Sequence, residues 1–340
     1  MSPSPLSSLY ARILEARARR YVSGRARSHD VGLPVISVGN LTVGGSGKTP
    51  FVEFLARRYR FEGRRPAILS RGYGRVSRGI VVVSRGEGPL VSPDVGGDEP
   101  VEIARRLPGV PVVVARRRVE AARTARELGA DLLLLDDGYQ HLALRRDANL
   151  LLLDAADPFG GGRFPPGGRL REPLSALERA DAVVFTRAAA GLPTEASRRI
   201  LARWNPRAPV FTARIHAAGL RDTDGAPVET GSLAGRRLIA VCGVARPATF
   251  AASLTELDLS PEVTLAFRDH HRYGPRDLER IRRTAERTGS SWLVTTEKDA
   301  VKLAGRTPLP TLAVRLAVEV QEEGFFAFLH GLLARSRAAR

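Results

Sequence analysis

Near the N-terminus, Leu6, Leu9, Tyr10, Ile13, Leu14 and Tyr21 recur at helical spacing, with Arg12, Arg17, Arg19 and Arg20 between them. This pattern predicts a basic amphipathic helix over 5–23. Such a helix either packs its apolar stripe on the protein's own body or lies on an anionic membrane surface. From Pro34 onward the pattern changes. Short, continuous apolar runs at 35–38, 67–69, 80–84, 112–115, 132–135, 150–153 and 182–185 alternate with helical periodicity at 49–60, 99–107, 117–128, 174–179 and 194–204. Runs that are apolar at every residue belong to strands covered on both faces. The alternation therefore predicts an α/β fold, a mostly parallel sheet with helices on both faces.

A second, shorter set of the same kind follows, with strands at 238–242, 263–267 and 292–295 and helices at 247–257 and 275–288. Two further strand-like runs, 209–216 and 312–320, bracket it. They are expected to pair as a two-stranded linker, with a last helix over 322–335 returning to the first domain. The expected organisation is a first domain over 1–208, joined by the C-terminal helix region 321–340, and a smaller α/β/α domain over 209–320. A length of 340 residues suits two domains. The segment 154–173 is rich in Gly, Pro and Arg and has no periodicity. A loop that long is either functional or disordered. No apolar run approaches the roughly 20 residues needed to cross a bilayer, and the N-terminus lacks the continuous apolar stretch of a secretory signal.

Charge narrows the picture. Lys+Arg 53 against Asp+Glu 36 leaves +17, which favours an anionic partner: nucleic acid, an anionic membrane or a phosphorylated substrate. Only Lys48, Lys298 and Lys302 are lysines. In a chain this rich in arginine, a lysine marks a position that needs a compact ammonium and not a planar fork. Aromatic residues make up only 6% and form no stacking-rich basic cluster, so no specific nucleic-acid partner is expected. The single cysteine, Cys242, has no partner for a disulfide, and no zinc spacing exists, which fits a reducing compartment.

The run from Val35 through Gly39, Thr42, Gly44, Gly45, Ser46, Gly47, Lys48 and Thr49 leads from a strand through a glycine loop into a helix. That is the setting of a phosphate-binding P-loop. Glycines let backbone N–H groups turn inward around phosphate oxygens, and the helix N-terminus adds its partial positive charge. Lys48 is expected to reach the β- and γ-phosphates of ATP and Thr49 to bind Mg²⁺. The usual signature places a glycine where this chain has Thr42. The apolar run ending in Asp136 and Asp137 supplies a carboxylate beside the metal.

Read together, Ser37-Val-Gly-Asn-Leu-Thr-Val-Gly-Gly-Ser-Gly-Lys-Thr-Pro50, Ser70-Arg-Gly-Tyr-Gly74, Gly97-Asp-Glu-Pro100, Asp136-Asp-Gly-Tyr-Gln-His141, Phe164-Pro-Pro-Gly-Gly-Arg-Leu-Arg-Glu-Pro173, Phe267-Arg-Asp-His270 and Thr296-Glu-Lys-Asp299 resemble the tetraacyldisaccharide 4′-kinase family of lipid A biosynthesis. They stand in that family's order, and the P-loop without its first glycine is the family's form. The resemblance implies transfer of the ATP γ-phosphoryl group to the 4′-hydroxyl of tetraacyldisaccharide 1-phosphate, making lipid IVA. It further implies a peripheral place on the cytoplasmic face of the inner membrane, with residues 5–23 on the anionic surface. A monomer is expected.

The resemblance points to Asp98 as the base that accepts the hydroxyl proton, partnered by His270. From its neighbours alone Asp98 reads as a helix N-cap, a role compatible with the first. Tyr73, Gln140, Arg171 and Glu172 are candidates for sugar and phosphate contacts. Glu297 is expected near the nucleotide. The competing readings are another P-loop kinase or NTPase acting on a soluble phosphorylated metabolite, a nucleic-acid-binding ATPase and a membrane-attached binding module. The guanine-reading Asn/Thr-Lys-x-Asp pattern of a GTPase is missing, the nearest string being Glu297-Lys-Asp299.

Overall fold

A computed structural model describes residues 5–188, 193–269 and 271–338. The chain opens with α1 (Pro5–Val22), then β1 (Val35–Gly39), α2 (Lys48–Phe61), β2 (Pro66–Ser70), β3 (Val81–Ser84), α3 (Pro93–Gly96) and α4 (Asp98–Arg106). It continues with β4 (Val112–Val114), α5 (Arg118–Glu127), β5 (Leu132–Asp136), β6 (Ala148–Asp154), β7 (Ala182–Thr186) and α6 (Glu195–Trp204). The remainder is β8 (Val210–Arg221), β9 (Pro227–Val228), β10 (Leu238–Cys242), α7 (Pro247–Glu256), β11 (Val263–Ala266), α8 (Pro275–Thr288), β12 (Trp292–Thr296), α9 (Glu297–Leu303), β13 (Thr311–Val320) and α10 (Phe325–Ala338). The periodic stretch Leu174–Arg179 folds as 3₁₀ turns instead of an α-helix. Six residues after a proline are too few to sustain α-helical nucleation by themselves.

The strands lie in one continuous path, in the order β11-β10-β12-β13-β8-β7-β6-β1-β5-β2-β4-β3, with β9 against β8. β1, β2, β4, β5, β6 and β7 pair in parallel, and each is buried along its whole length. Their uninterrupted apolar runs follow from that double burial. β3 closes one edge antiparallel to β4. From β1 the chain moves to one side through β2, β3 and β4, returns to β5, then crosses to β6 and β7 on the other side. The carboxyl ends of β1, β5 and β6 therefore meet where the winding reverses, the place where open α/β sheets bind ligands.

Two long strands join the lobes. The first residues of β8 pair in parallel with β7, and the first residues of β13 pair in parallel with β12. Between them β8 and β13 run antiparallel from Ala213↔Val320 to Arg221↔Ala313. The runs at 209–216 and 312–320 thus form one ribbon, with β8 continuing to Arg221. α10 returns from β13 onto α2 of the first lobe. Phe325 is buried against Phe51 and Phe211 at ring centroid distances of 5.8 and 5.0 Å. No helix among the described residues is long and apolar enough to cross a membrane.

Candidate active site

The glycine loop leaves the end of β1 and enters α2 at Lys48. Gly47, the residue before the helix, has φ 78°, a left-handed conformation that suits glycine. A Cβ at Gly47 would also lie 2.1 Å from Cδ1 of Ile215 on β8. Thr42, at the signature's glycine position, is buried in a short antiparallel bridge with Leu170. The N–H of Val43 donates to Arg169 O at 2.7 Å, and the N–H of Arg171 to Leu41 O at 2.6 Å. The backbone there is paired and extended, so a threonine serves where other loops need glycine. The segment 154–173 is accordingly ordered. Its Phe159, Phe164 and Leu170 pack with Leu41 and Tyr139 in one buried cluster.

This packing delivers Arg171 to the end of β5. Val38 of β1 is in register with Asp136 of β5, which brings the glycine loop beside both aspartates. Arg171 Nη1 donates to Oδ1 and Oδ2 of Asp137 at 2.8 and 3.0 Å, and Nη2 to Oδ2 at 3.0 Å. Lys48 Nζ lies 3.6 Å from the same carboxylate. Burial alone would push the Asp137 carboxyl up, but Lys48 and Arg171 outweigh it and hold it well below the usual carboxylate range. Asp137 itself has φ 52°, a left-handed conformation that aspartate tolerates. Asp136 moves the other way. Its burial, then the charges of Glu99 and Asp137, push its carboxyl up.

Several buried polar atoms here have no hydrogen-bond partner among the described residues: Ser37 Oγ, Asn40 Nδ2, Ser46 Oγ and Asp136 Oδ1. Buried polar atoms are ordinarily satisfied, so such a group beside a phosphate loop marks where a ligand completes the bonding. The donor set fits Mg²⁺. Magnesium takes one or two carboxylates, with phosphate oxygens and water making up the rest. No group of three or more His, Cys, Asp or Glu among the described residues forms an all-protein metal cage.

Asp98 is linked to these aspartates through its neighbour Glu99, whose charge acts on Asp136. It is the first residue of α4, and Gly97 is the N-cap, which corrects the reading of Asp98 as the cap. Gly97 has φ 94°, and a Cβ there would lie 3.0 Å from Gly72 Cα. Backbone thus meets backbone, and the Ser70–Gly74 loop is seated directly against the start of α4, with Tyr73 65% exposed beside it. The carboxylate of Asp98 pairs at 2.8 Å with Lys302 Nζ on α9, in the second lobe. His270 lies outside the described residues.

The remaining candidates occupy other positions. Glu172 is buried and accepts from Arg179 Nη2 at 2.7 Å and Gln140 Nε2 at 3.0 Å. Gln140 Nε2 also donates to Asn40 O at 2.8 Å. Both side chains brace the loop after β1. Glu297, expected near the nucleotide, instead bonds Arg106 in a buried cluster with Glu53 and Glu102. Glu53 is on α2, five residues beyond Lys48, or roughly 7 Å along the helix axis.

Sequence reasoning missed two groups. Arg106 carries no motif. Asp154, buried at the end of β6, binds Arg187 at 2.8 Å and Arg246 of the second lobe, while Arg187 also donates to Gly45 O at 2.6 Å. Among fifty arginines nothing singled out those two. For Lys302 a signal existed in its being a lysine at all.

A glycine loop and lysine after β1, paired aspartates after the adjacent β5, and a parallel sheet reversing between them define the nucleotide-binding core of a P-loop enzyme. Comparison with known proteins makes this specific. The family model for tetraacyldisaccharide-1-P 4′-kinase (LpxK) matches residues 3–334. The chain belongs to the tetraacyldisaccharide 4′-kinase family. Tetraacyldisaccharide 4′-kinase of Anaeromyxobacter sp. (strain K) is 46% identical over 318 residues, 88% of this chain and 83% of that one. The enzyme of the same name from Syntrophotalea carbinolica is 42% identical over 323 residues, 94% and 88% of the two chains. A crystal structure of LpxK from Aquifex aeolicus in complex with ATP superposes with a TM-score of 0.80 at 34% identity, over 97% of this chain and 98% of that one.

Proposed function

We propose that this chain transfers the γ-phosphoryl group of ATP to the 4′-hydroxyl of tetraacyldisaccharide 1-phosphate, making lipid IVA. Membership of the kinase family is the observation that carries this reading. Gly44, Gly45, Ser46, Gly47 and Thr42 frame the phosphates with backbone N–H groups, and Lys48 draws the β- and γ-oxygens. Thr49 with Asp136 or Asp137 would hold Mg²⁺, which when bound neutralises charge on the phosphates. Asp98 accepts the proton of the attacking hydroxyl as the oxygen–phosphorus bond forms and ADP leaves. His270 is its partner by family resemblance. Tyr73 is taken as a sugar contact, a reading supported by its exposure on the loop seated against Gly97 at the start of α4. Arg171 reaches the reacting phosphate through its hold on Asp137, and Gln140 and Glu172 support the loop behind it.

The two lobes, 1–208 with 321–340 and 209–320, are read as separate domains whose approach assembles the site. The enzyme is read as a monomer on the cytoplasmic face of the inner membrane. What supports the membrane contact is α1. Ala11 and Leu14 pack on the Phe159 and Phe164 cluster, and Tyr10 meets the Phe164 ring edge-on at 5.3 Å. Leu9 and Ile13 each remain 56% exposed, among exposed Arg12, Arg17, Arg19 and Arg20. The helix thus packs on the body and still presents a basic, partly apolar face.

The test is Mg²⁺-dependent transfer of label from ATP to tetraacyldisaccharide 1-phosphate in detergent micelles, comparing wild type with Asp98→Ala. Label in the lipid, reduced by about 10²–10⁴ in the variant, is the expected result. Equal rates would remove Asp98 as the base. ATP hydrolysis with no labelled lipid would overturn the lipid substrate.

A further inference from the structure

We infer that Lys302 is a positioning residue for Asp98, and that the base is set in place only when α9 of the second lobe docks on α4 of the first. The inference rests on Asp98 being the base.

The two helices meet head to tail. Asp98, the first residue of α4, pairs with Lys302 near the end of α9 at 2.8 Å. Arg106, the last residue of α4, pairs with Glu297, the first residue of α9. Each pair puts a carboxylate at a helix N-terminus and a cation at a C-terminus, the arrangement that helix dipoles favour. Both pairs are sheltered, with side-chain exposures of 8% and 21% for Lys302 and Asp98 and 13% and 9% for Arg106 and Glu297. Two ion pairs thus hold the lobes in one relative register across α4 and α9.

Lys302 is held from its own lobe before it reaches Asp98. Its Nζ donates to His271 O at 3.2 Å and lies 3.9 Å from Asp299 Oδ1. Asp299 is fully buried and fixed by Gly243 N at 2.7 Å and Thr296 Oγ1 at 2.8 Å. An ammonium has three N–H donors that can point in three directions. One donates to His271 O in the second lobe, and another crosses to Asp98. Both contacts come from one compact nitrogen at the end of a flexible stem, which suits a lysine in a chain with 53 basic residues, nearly all arginine.

The ammonium does two things for Asp98. It fixes one carboxylate oxygen, and it favours the ionised form that accepts a proton. Among the described residues, the other charges near the pair include Glu99 on α4, Asp299 and Lys298 on α9, and Asp269, which Lys298 binds at 2.8 Å; His270, the partner of Asp98 by family resemblance, lies outside them. With Lys302 neutralised, the nearby Glu99 and Asp299 would oppose ionisation of Asp98.

The experiment measures phosphoryl transfer by the full-length enzyme from pH 5.5 to 9 for wild type, Lys302→Met, Lys302→Gln, Lys302→Arg, Asp98→Asn and Asp98→Asn/Lys302→Met. The expected result is an acid limb of kcat/KM displaced upward in Lys302→Met, with the loss greatest at the acid end of the range, at most about tenfold per pH unit of displacement, and shrinking toward pH 9. KM for ATP stays within about twofold. Lys302→Arg keeps the acid limb in place while losing rate, and Lys302→Met adds nothing to Asp98→Asn. A loss equal at every pH, or a further loss in the double variant, would overturn the inference and leave Lys302 as a purely structural contact. Thermal melting identifies a Met variant that does not fold, in which case Lys302→Gln carries the same comparison. Wild-type rates in Asp98→Asn would instead refute Asp98 as the base, a separate result read from a separate variant.

Discussion

The guanidinium of Arg171 forks across the carboxylate of Asp137, with three N–O distances of 2.8, 3.0 and 3.0 Å. Lys48 approaches the same carboxylate at 3.6 Å. One aspartate thus ties the glycine loop of β1, the end of β5 and the segment 154–173 together. Arg171→Ala should release this tie and leave Lys48 as the main cation beside Asp137. We expect kcat to fall by about 10²-fold, with a smaller change in KM for ATP. Arg171→Lys should recover little, because an ammonium cannot bind both oxygens in a plane. Steady-state kinetics on the three proteins decides it, and full recovery by lysine would contradict the role of the fork.

Lys48 tests the argument from composition. If the position needed only a positive charge, Lys48→Arg would be close to neutral. A compact ammonium at the first residue of α2, with 15% of its side chain exposed, leaves little room for a guanidinium. The expected loss for Lys48→Arg is about 10²-fold or more in phosphoryl transfer, within about tenfold of Lys48→Met. Calorimetric titration with ATP should show weakened binding in both.

The buried cluster of Glu53, Glu102, Arg106 and Glu297 makes stability depend on pH. Burial pushes the Glu53 carboxyl up to about 7, against the attraction of Arg106, while Glu297 adds to the rise and Arg57 and Arg315 oppose it. The Glu102 carboxyl is pushed up as well, first by burial. A raised carboxyl keeps its proton in the folded state when the unfolded chain has already lost it. Stability from Glu53 is therefore full below the ordinary glutamate range and declines as pH rises from about 4.5 to 7. Glu53→Gln removes that decline, while Arg106 keeps Glu102 and Glu297 as partners. Melting curves should show the variant gaining on wild type by about 1–3 kcal/mol between pH 5 and pH 8. A constant difference across that range would count against a proton on Glu53.

The exposed face of α1 separates fold from membrane contact. Leu9→Glu/Ile13→Glu changes two side chains that are each 56% exposed, so the melting temperature should stay nearly unchanged. Co-sedimentation with vesicles of anionic phospholipid should fall by about tenfold or more, since two apolar contacts are lost and two negative charges face the surface. Replacing Arg12 and Arg19 by Gln should weaken the same binding by about 1 kcal/mol each and make it less sensitive to salt. Unchanged sedimentation in both would remove α1 as the membrane contact.

Much of this molecule was legible along the chain. The runs at 35–38, 132–135 and 150–153 became β1, β5 and β6 because a strand buried on both faces must be apolar at every residue. The phosphate loop was readable because glycines, a lysine and a threonine at fixed spacing are what a phosphate cradle requires. Local spacing does not specify which distant side chains meet. Glu172 and Gln140 carry the right chemistry for a ligand contact, and the fold also sets them beside Arg179 and Asn40, partners that no local pattern names. Glu297 follows a strand in the second lobe, and only the docking of α9 on α4 decides that it meets Arg106.

The sequence by itself determined the strands, the loop that holds phosphate and the family of kinases to which the chain belongs, since each depends on residue types at short, fixed spacings. The tertiary structure alone decided which charges became partners. Asp98 and Lys302 stand 2.8 Å apart across two lobes, yet more than two hundred residues apart in the chain. Their meeting depends on how the antiparallel ribbon of β8 and β13 sets one lobe beside the other. No local pattern records that geometry, because an ion pair needs only two side chains and a fold that brings them together.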